Sequence, residues 1–149
     1  NDAPSAITRL LDMGVAPFLV SSAVQGIVAQ RLVRRVCKDC RELYTPEPAE
    51  VRVIGLDPAM LAGKSFARGR GCKNCEGSGF RGRLGLYELF ELDSDLRDAV
   101  FRGEPLERIR NSALASGRLR PLIVSGASKV LAGQTTVTEV LRVTRLAGA

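Results

Sequence analysis

The feature that most constrains this chain is a pair of near-copies, "VCKDC" at Val36 to Cys40 and "GCKNC" at Gly71 to Cys75, which together hold all 4 cysteines of the 149 residues. Each is a C-x2-C knuckle, and 31 residues separate them. Two such knuckles bring four thiolates into a tetrahedron, the geometry zinc takes in structural sites. The common spacer is shorter, and the extra length fits an inserted helix between the knuckles. Cys37, Cys40, Cys72 and Cys75 are therefore expected to share one metal ion. Four sulfurs leave no open coordination position, so the metal is structural and not catalytic. Two redox pairs are the rival reading, but nothing around them resembles a βαβ redox frame. A secreted disulfide framework fits poorly, because close pairs of thiols suit metal in a reducing compartment.

Absences narrow the chemistry further. With no histidine and no tryptophan, and aromatics at 5%, the chain lacks Ser-His, Cys-His and His-ligated metal chemistry. It also lacks the stacking platform of a single-stranded nucleic-acid binder. The net charge is +6 but uneven. Arg31 to Arg41 and Lys64 to Arg83 together carry +9, leaving −3 elsewhere, so basic charge brackets the cysteines. Cations there offset the negative charge of a tetrathiolate centre. Nucleic acid or acidic lipid is the sharper reading of the same collar.

No basic-then-apolar leader is present at "NDAPSAITRL", and the most apolar run, Val15 to Ala29, is broken by Pro17, Ser21, Ser22, Gln25 and Gly26. The chain reads as an excised piece of a cytoplasmic protein. Pro4, Ile7, Leu10, Leu11 and Gly14 describe a short amphipathic helix. After Pro17, the residues Phe18, Ala23, Val24, Ile27 and Val28 suggest a mostly buried helix. "RLVRRVC" then reads as a strand into the first knuckle. "TPEPAEV" opens a short helix with Thr45 as cap and Val51 and Ile54 inward. The glycine-rich Gly69 to Gly85 predicts turns and short strands, and "LGLYELFEL" a strand or hairpin edge. Beyond Glu91 the pattern is helical: Asp93 or Ser94 caps one helix, Pro105 opens a second with Leu106, Ile109 and Ala113 inward, and Pro121 opens a third. Thr136 with Glu139 is a capping box for a fourth.

"CKNCEGSGF" resembles one CxxCxGxG unit of the DnaJ-type chaperone zinc domain, yet that family uses several and only one fits here. A wider resemblance covers the whole chain. "TRLLDMGVAPFLVSSAVQGIVAQRLVRRVCKDC", "GCKNCEGSGFRGRLGLYELFEL" and "KVLAGQTTVTEVLRVT" together closely resemble the C-terminal third of secretion ATPases of the GspE/PulE type. These are hexameric motors of bacterial type II secretion, and type IV pilus assembly ATPases are close relatives. The stretch "LRPLIVSG" carries fewer acidic residues than that family pattern.

The resemblance implies an α+β fold: the C-terminal piece of a RecA-like P-loop ATPase core, a four-cysteine zinc-binding insertion and a small helical C-terminal region. It implies 1–36 as the last elements of the core, 37–83 as the tetracysteine subdomain, and 84–149 as a return strand with a helical subdomain. No G-x-x-x-x-G-K-[ST] occurs, so the stretch alone should turn over no nucleotide, while the full protein uses ATP and Mg2+. Arg83 matches a family arginine placed near the nucleotide, or it offsets the zinc site's charge; Arg31 and Arg34 share that ambiguity. Implied partners are neighbouring subunits of a homo-hexamer, inner-membrane platform proteins and acidic phospholipid, at the cytoplasmic face of a bacterial inner membrane. A stand-alone structural zinc module binding nucleic acid or acidic lipid is the competing reading.

Overall fold

A computed structural model describes residues 2–145. Helices and strands are mixed, as an α+β chain requires. Backbone contacts divide it into two compact units, each made from two stretches of sequence. The first unit takes residues up to Gln30 together with Tyr87–Pro121; the second takes Arg31–Leu86 and the chain from Leu122 onward. Two long strands, β1 (Gly26–Val36) and β4 (Phe80–Glu91), contribute to both.

In the first unit, α1 (Ser5–Asp12) follows a turn in which Asp2 and Ser5 bond to one another. The Ser5 N–H donates to Asp2 Oδ1 at 3.0 Å, and the Asp2 N–H donates to Ser5 Oγ at 3.2 Å. Gly14, at φ +88°, ends it. The next helix, α2 (Pro17–Ala23), is shorter than the sequence suggests. Val20 is its buried residue, Phe18 is 57% exposed, and Ile27 and Val28 belong to β1. The helix ends before Gly26, since Val24 is already extended, and the β-branched Ile27 and Val28 belong instead to a strand that pairs with the distant β4. Asp93 caps α4 (Ser94–Phe101) by accepting the Leu96 N–H at 3.0 Å. Following α5 (Leu106–Ala115) comes β5, only Leu119–Arg120, which pairs antiparallel with β4. The last third is thus not wholly helical. The sheet order is β1-β4-β5. Ile7, Val20, Phe90, Leu96, Val100 and Ile109 form this unit's core, each fully buried side chain contributing about 1.5–3 kcal/mol.

The second unit holds β2 (Arg41–Tyr44), α3 (Pro48–Val53), β3 (Phe66–Gly69), α6 (Leu122–Leu131) and α7 (Val137–Arg145). Glu47, not Thr45, precedes α3 as its cap position, because Pro48 occupies the first helical turn. Val51 and Ile54 do point inward, at 2% exposure each, against Val33, Phe66, Leu86 and Val140. Beyond the glycine-rich turns, β4 starts at Phe80 and runs 12 residues, longer than a hairpin edge. Among the described residues no helix is long and apolar enough to cross a membrane.

Candidate metal centre

Strand β1 delivers Cys37, whose N–H donates to Gly79 O at 2.9 Å. A short turn leads to Cys40, and β2 starts at the next residue. β2 pairs antiparallel with β3 in the register Arg41↔Gly69 to Tyr44↔Phe66. The excursion between knuckles therefore leaves and returns side by side, which is how 31 intervening residues still bring Gly71 and Cys72 back to Cys40. The Arg70 N–H extends the ladder to Cys40 O at 3.0 Å. A single 3-10 turn, Lys73–Cys75, forms the second knuckle, and Glu76 after it sits in the left-handed region at φ +54°.

The four Sγ atoms lie within 4.8 Å of one another. Cys37–Cys72, Cys40–Cys75 and Cys72–Cys75 are 3.9, 3.8 and 3.7 Å apart. A zinc ion bonded to sulfur at about 2.3 Å demands tetrahedron edges of about 3.8 Å. All four cysteines are free, so neither knuckle is closed as a disulfide. Cys37, Cys40 and Cys75 are buried and Cys72 is partly so.

Backbone donors converge on the sulfurs. Gly71 N–H reaches Cys40 Sγ at 3.3 Å, and the N–H groups of Cys72 and Gly79 reach Cys75 Sγ at 3.2 Å each. Such donors favour thiolate and tune a metal. Burial alone would raise the Cys75 thiol, yet those two N–H groups and the neighbouring thiols bring it down to about 6. Its partner Cys40 goes the other way, to about 12, chiefly through burial. The donor set thus fits a divalent ion that replaces the protons. Asp39 of the first knuckle also accepts from Asn74 Nδ2 of the second at 3.0 Å, tying the turns together outside the sulfurs.

The arginines singled out in sequence fare differently. Arg83 lies exposed on β4 and Arg31 half-buried on β1. Arg34 is committed within its own unit: its guanidinium binds Glu139 and stacks over the Phe80 ring at 4.2 Å. Sequence reasoning named Glu139 only as half of a capping box and missed its pairing with arginines. It is 1% exposed, and its N–H takes the Thr136 Oγ1 cap at 3.3 Å. Its carboxylate turns to Arg34 and Arg142 instead of completing the box.

Fold and cluster define an α+β chain able to hold a metal ion in a closed four-sulfur site. The family model described as "Type II/IV secretion system protein" matches residues 1–142, and the chain belongs to that family. It is 47% identical over 146 residues to the Type II secretion system protein E of Pseudomonas aeruginosa, covering 97% of this chain and 28% of that one. It is 42% identical over 141 residues to the Type IV pilus assembly ATPase PilB of Thermus thermophilus, covering 95% and 16% respectively. With the pilus ATPase TfpB of Acinetobacter baylyi the identity is 38% over 146 residues, 98% of this chain and 25% of that one. The chain therefore spans well under a third of the length of these relatives.

Proposed function

We propose that this chain forms the C-terminal part of a hexameric motor ATPase that powers pseudopilus assembly in type II secretion. The observation that carries the reading is the similarity to a type II secretion protein E across 97% of the chain. In this reading, 1–36 closes the RecA-like core, 37–83 is the zinc-binding subdomain, and 84–149 is the return strand with the helical subdomain. Cys37, Cys40, Cys72 and Cys75 hold one structural zinc. Bound there, the ion cross-links two distant turns, so that β2, α3 and β3 move as one stiff body with the end of β1. ATP and Mg2+ are bound by the remainder of the full-length protein, with Arg83 as a neighbour of the nucleotide. The motor works at the cytoplasmic face of the inner membrane, against its platform proteins.

The test is the full-length protein. A Walker A loop encoded upstream of Asn1 and ATP hydrolysis by the purified full chain, with none by these 149 residues, is the expected result. An upstream frame without a P-loop, or a full chain that leaves ATP intact, overturns it. The similarity to PilB supports a second reading, a pilus assembly motor. Deleting the gene separates the two: loss of exoprotein export marks secretion, and loss of surface pili marks assembly.

A further inference from the structure

Within the second unit, two clefts adjoin beside the first knuckle. One, of about 370 Å³, is lined by Arg35, Val36, Lys38, Arg41 and the backbone turn 132–134. The other, of about 260 Å³, is lined by Arg35, Lys38, Asp39 and Arg81. They share Arg35 and Lys38, so the two clefts lie side by side and make one basic groove region. Four cations face one carboxylate there. Asp39 is only loosely engaged by Arg81, at 3.9 Å, and already accepts from Asn74.

One of these cations is held by shape. A Cβ added to Gly133 would fall 2.1 Å from Arg41 Nη2, so the Arg41 guanidinium rests directly on the glycine. Gly133 sits at φ +66° to end the helix α6, and its bare face also seats the arginine at the cleft floor. Balancing a tetrathiolate zinc centre, of charge about −2, takes two cations. The groove has four against the one carboxylate of Asp39, and the sulfurs already receive three N–H donors, so about one cation is in surplus. The surplus is available to a ligand.

We infer that this groove binds an acidic peptide segment of a partner protein. Three of the four cations are arginines, whose planar fork matches a carboxylate through two parallel hydrogen bonds. The cations line concave clefts instead of studding a flat face. Val36, the apolar lining residue of most bulk, is 3% exposed, so no large apolar side chain stands ready to wedge among lipid tails. An extended chain carrying carboxylates can set one in each cleft; a membrane plane does not enter them.

The inference stands apart from the motor reading, and an upstream frame without a P-loop would leave it intact. The experiment measures anisotropy of a fluorescein-labelled hexaglutamate peptide with the zinc-loaded chain at salt from about 50 to about 200 mM. The variant Arg35→Ser/Lys38→Ser, which strips both clefts, should weaken binding at least about tenfold, and Arg81→Ser, which touches only the second, at least about threefold. A charge-matched control, Arg52→Ser/Arg108→Ser, removes two exposed cations elsewhere and should stay within about twofold of the parent. Melting curves establish that each variant is folded. Equal weakening in groove and control variants would reduce the effect to net charge and overturn the proposal. So would absence of peptide binding at the lowest salt, or capture by phosphatidylglycerol vesicles without peptide binding.

Discussion

Glu139 on α7 holds Arg34 on β1 by three hydrogen bonds at once: the Arg34 N–H at 2.8 Å, Nε at 3.1 Å and Nη2 at 2.9 Å. Two further bonds run alongside, Thr135 Oγ1 to Arg34 O at 2.8 Å and Val36 N–H to Gln134 O at 2.9 Å. The entry to α7 is thus strapped to the last residues of β1, immediately before Cys37. Burial alone would raise the Glu139 carboxyl, but Arg142 and Arg34 outweigh it and hold it at about 2.

A folded-state pKa lowered this far contributes stability that is fully present above the ordinary glutamate value and is lost as pH falls through about 2. Glu139→Gln should therefore cost about 2 kcal/mol at neutral pH, the half-exposed arginines moderating the loss. The gap between parent and variant should close between about pH 5 and pH 2. Urea unfolding of both proteins in metal-free form across that range checks it, so that acid release of metal does not enter. A gap that persists to the acid end would refute the assignment.

Gly79 and Gly77 share a φ of +77° but differ in surroundings. A Cβ at Gly79 would meet Gly69 O at 2.4 Å, whereas one at Gly77 meets nothing within 4 Å. Gly79 also accepts from Cys37 N–H and donates to Cys75 Sγ. Gly77→Ala should cost only the left-handed strain, about 1 kcal/mol. Gly79→Ala should cost about 3 kcal/mol or more and speed zinc transfer to a chromophoric chelator at least about tenfold. Stopped-flow absorbance reads both rates. Indistinguishable variants would mean that the close pass of Gly69 and Gly79 does not support the cluster.

What was legible in the sequence was short-range chemistry. Each C-x2-C turn, Gly14 as a stop, a cap at Asp93 or Ser94 and the inward Val51 and Ile54 depend on residues a few positions apart; Gly14 follows α1 at φ +88°, Asp93 is the cap, and both side chains are buried. What escaped depends on distant partners. Ile27 and Val28 match a helical stripe as well as a strand, and the pairing that makes β1 is settled by β4, more than fifty residues on. The two residues of β5 carry no strand pattern and exist through their register with Leu89 and Phe90. Glu139 read as half of a local capping box, but its carboxylate bonds to a residue 105 positions away. A spacing rule cannot see that choice.

Removing one sulfur tests whether the cluster braces the insertion alone or more of the unit. Purified, reduced chain should carry about one zinc, and chelation should destabilise it, because metal affinity in such a site is folding energy. Cys72→Ser should raise amide exchange through β2, α3 and β3 while α6 and α7, which pack on Leu122, Val130 and Val140, keep their protection. Exchange read by mass spectrometry on parent, variant and chelator-treated protein gives the comparison. Absence of zinc from the reduced protein, or uniform loss of protection across all the helices, contradicts the bracing role.

Gly126 on α6 exists where it does because of Val140 on α7. A Cβ at Gly126 would stand 2.3 Å from Val140 Cγ1, and Val140 itself is fully buried. Alanine is the better helix former by about 1 kcal/mol, so in an uncrowded helix Gly126→Ala would stabilise. Overpacking opposes this by about 1–3 kcal/mol, because a dense core has nowhere to move the valine. The single variant should therefore be neutral to destabilising, and Val140→Ala alone should cost about 2 kcal/mol through its cavity. Combined, the added methyl fills space the valine vacated, and the double variant should be more stable than the two single effects predict by about 1–2 kcal/mol. Urea unfolding of the four proteins closes the cycle. Additivity within about 0.3 kcal/mol would show that α6 and α7 do not meet through this pair.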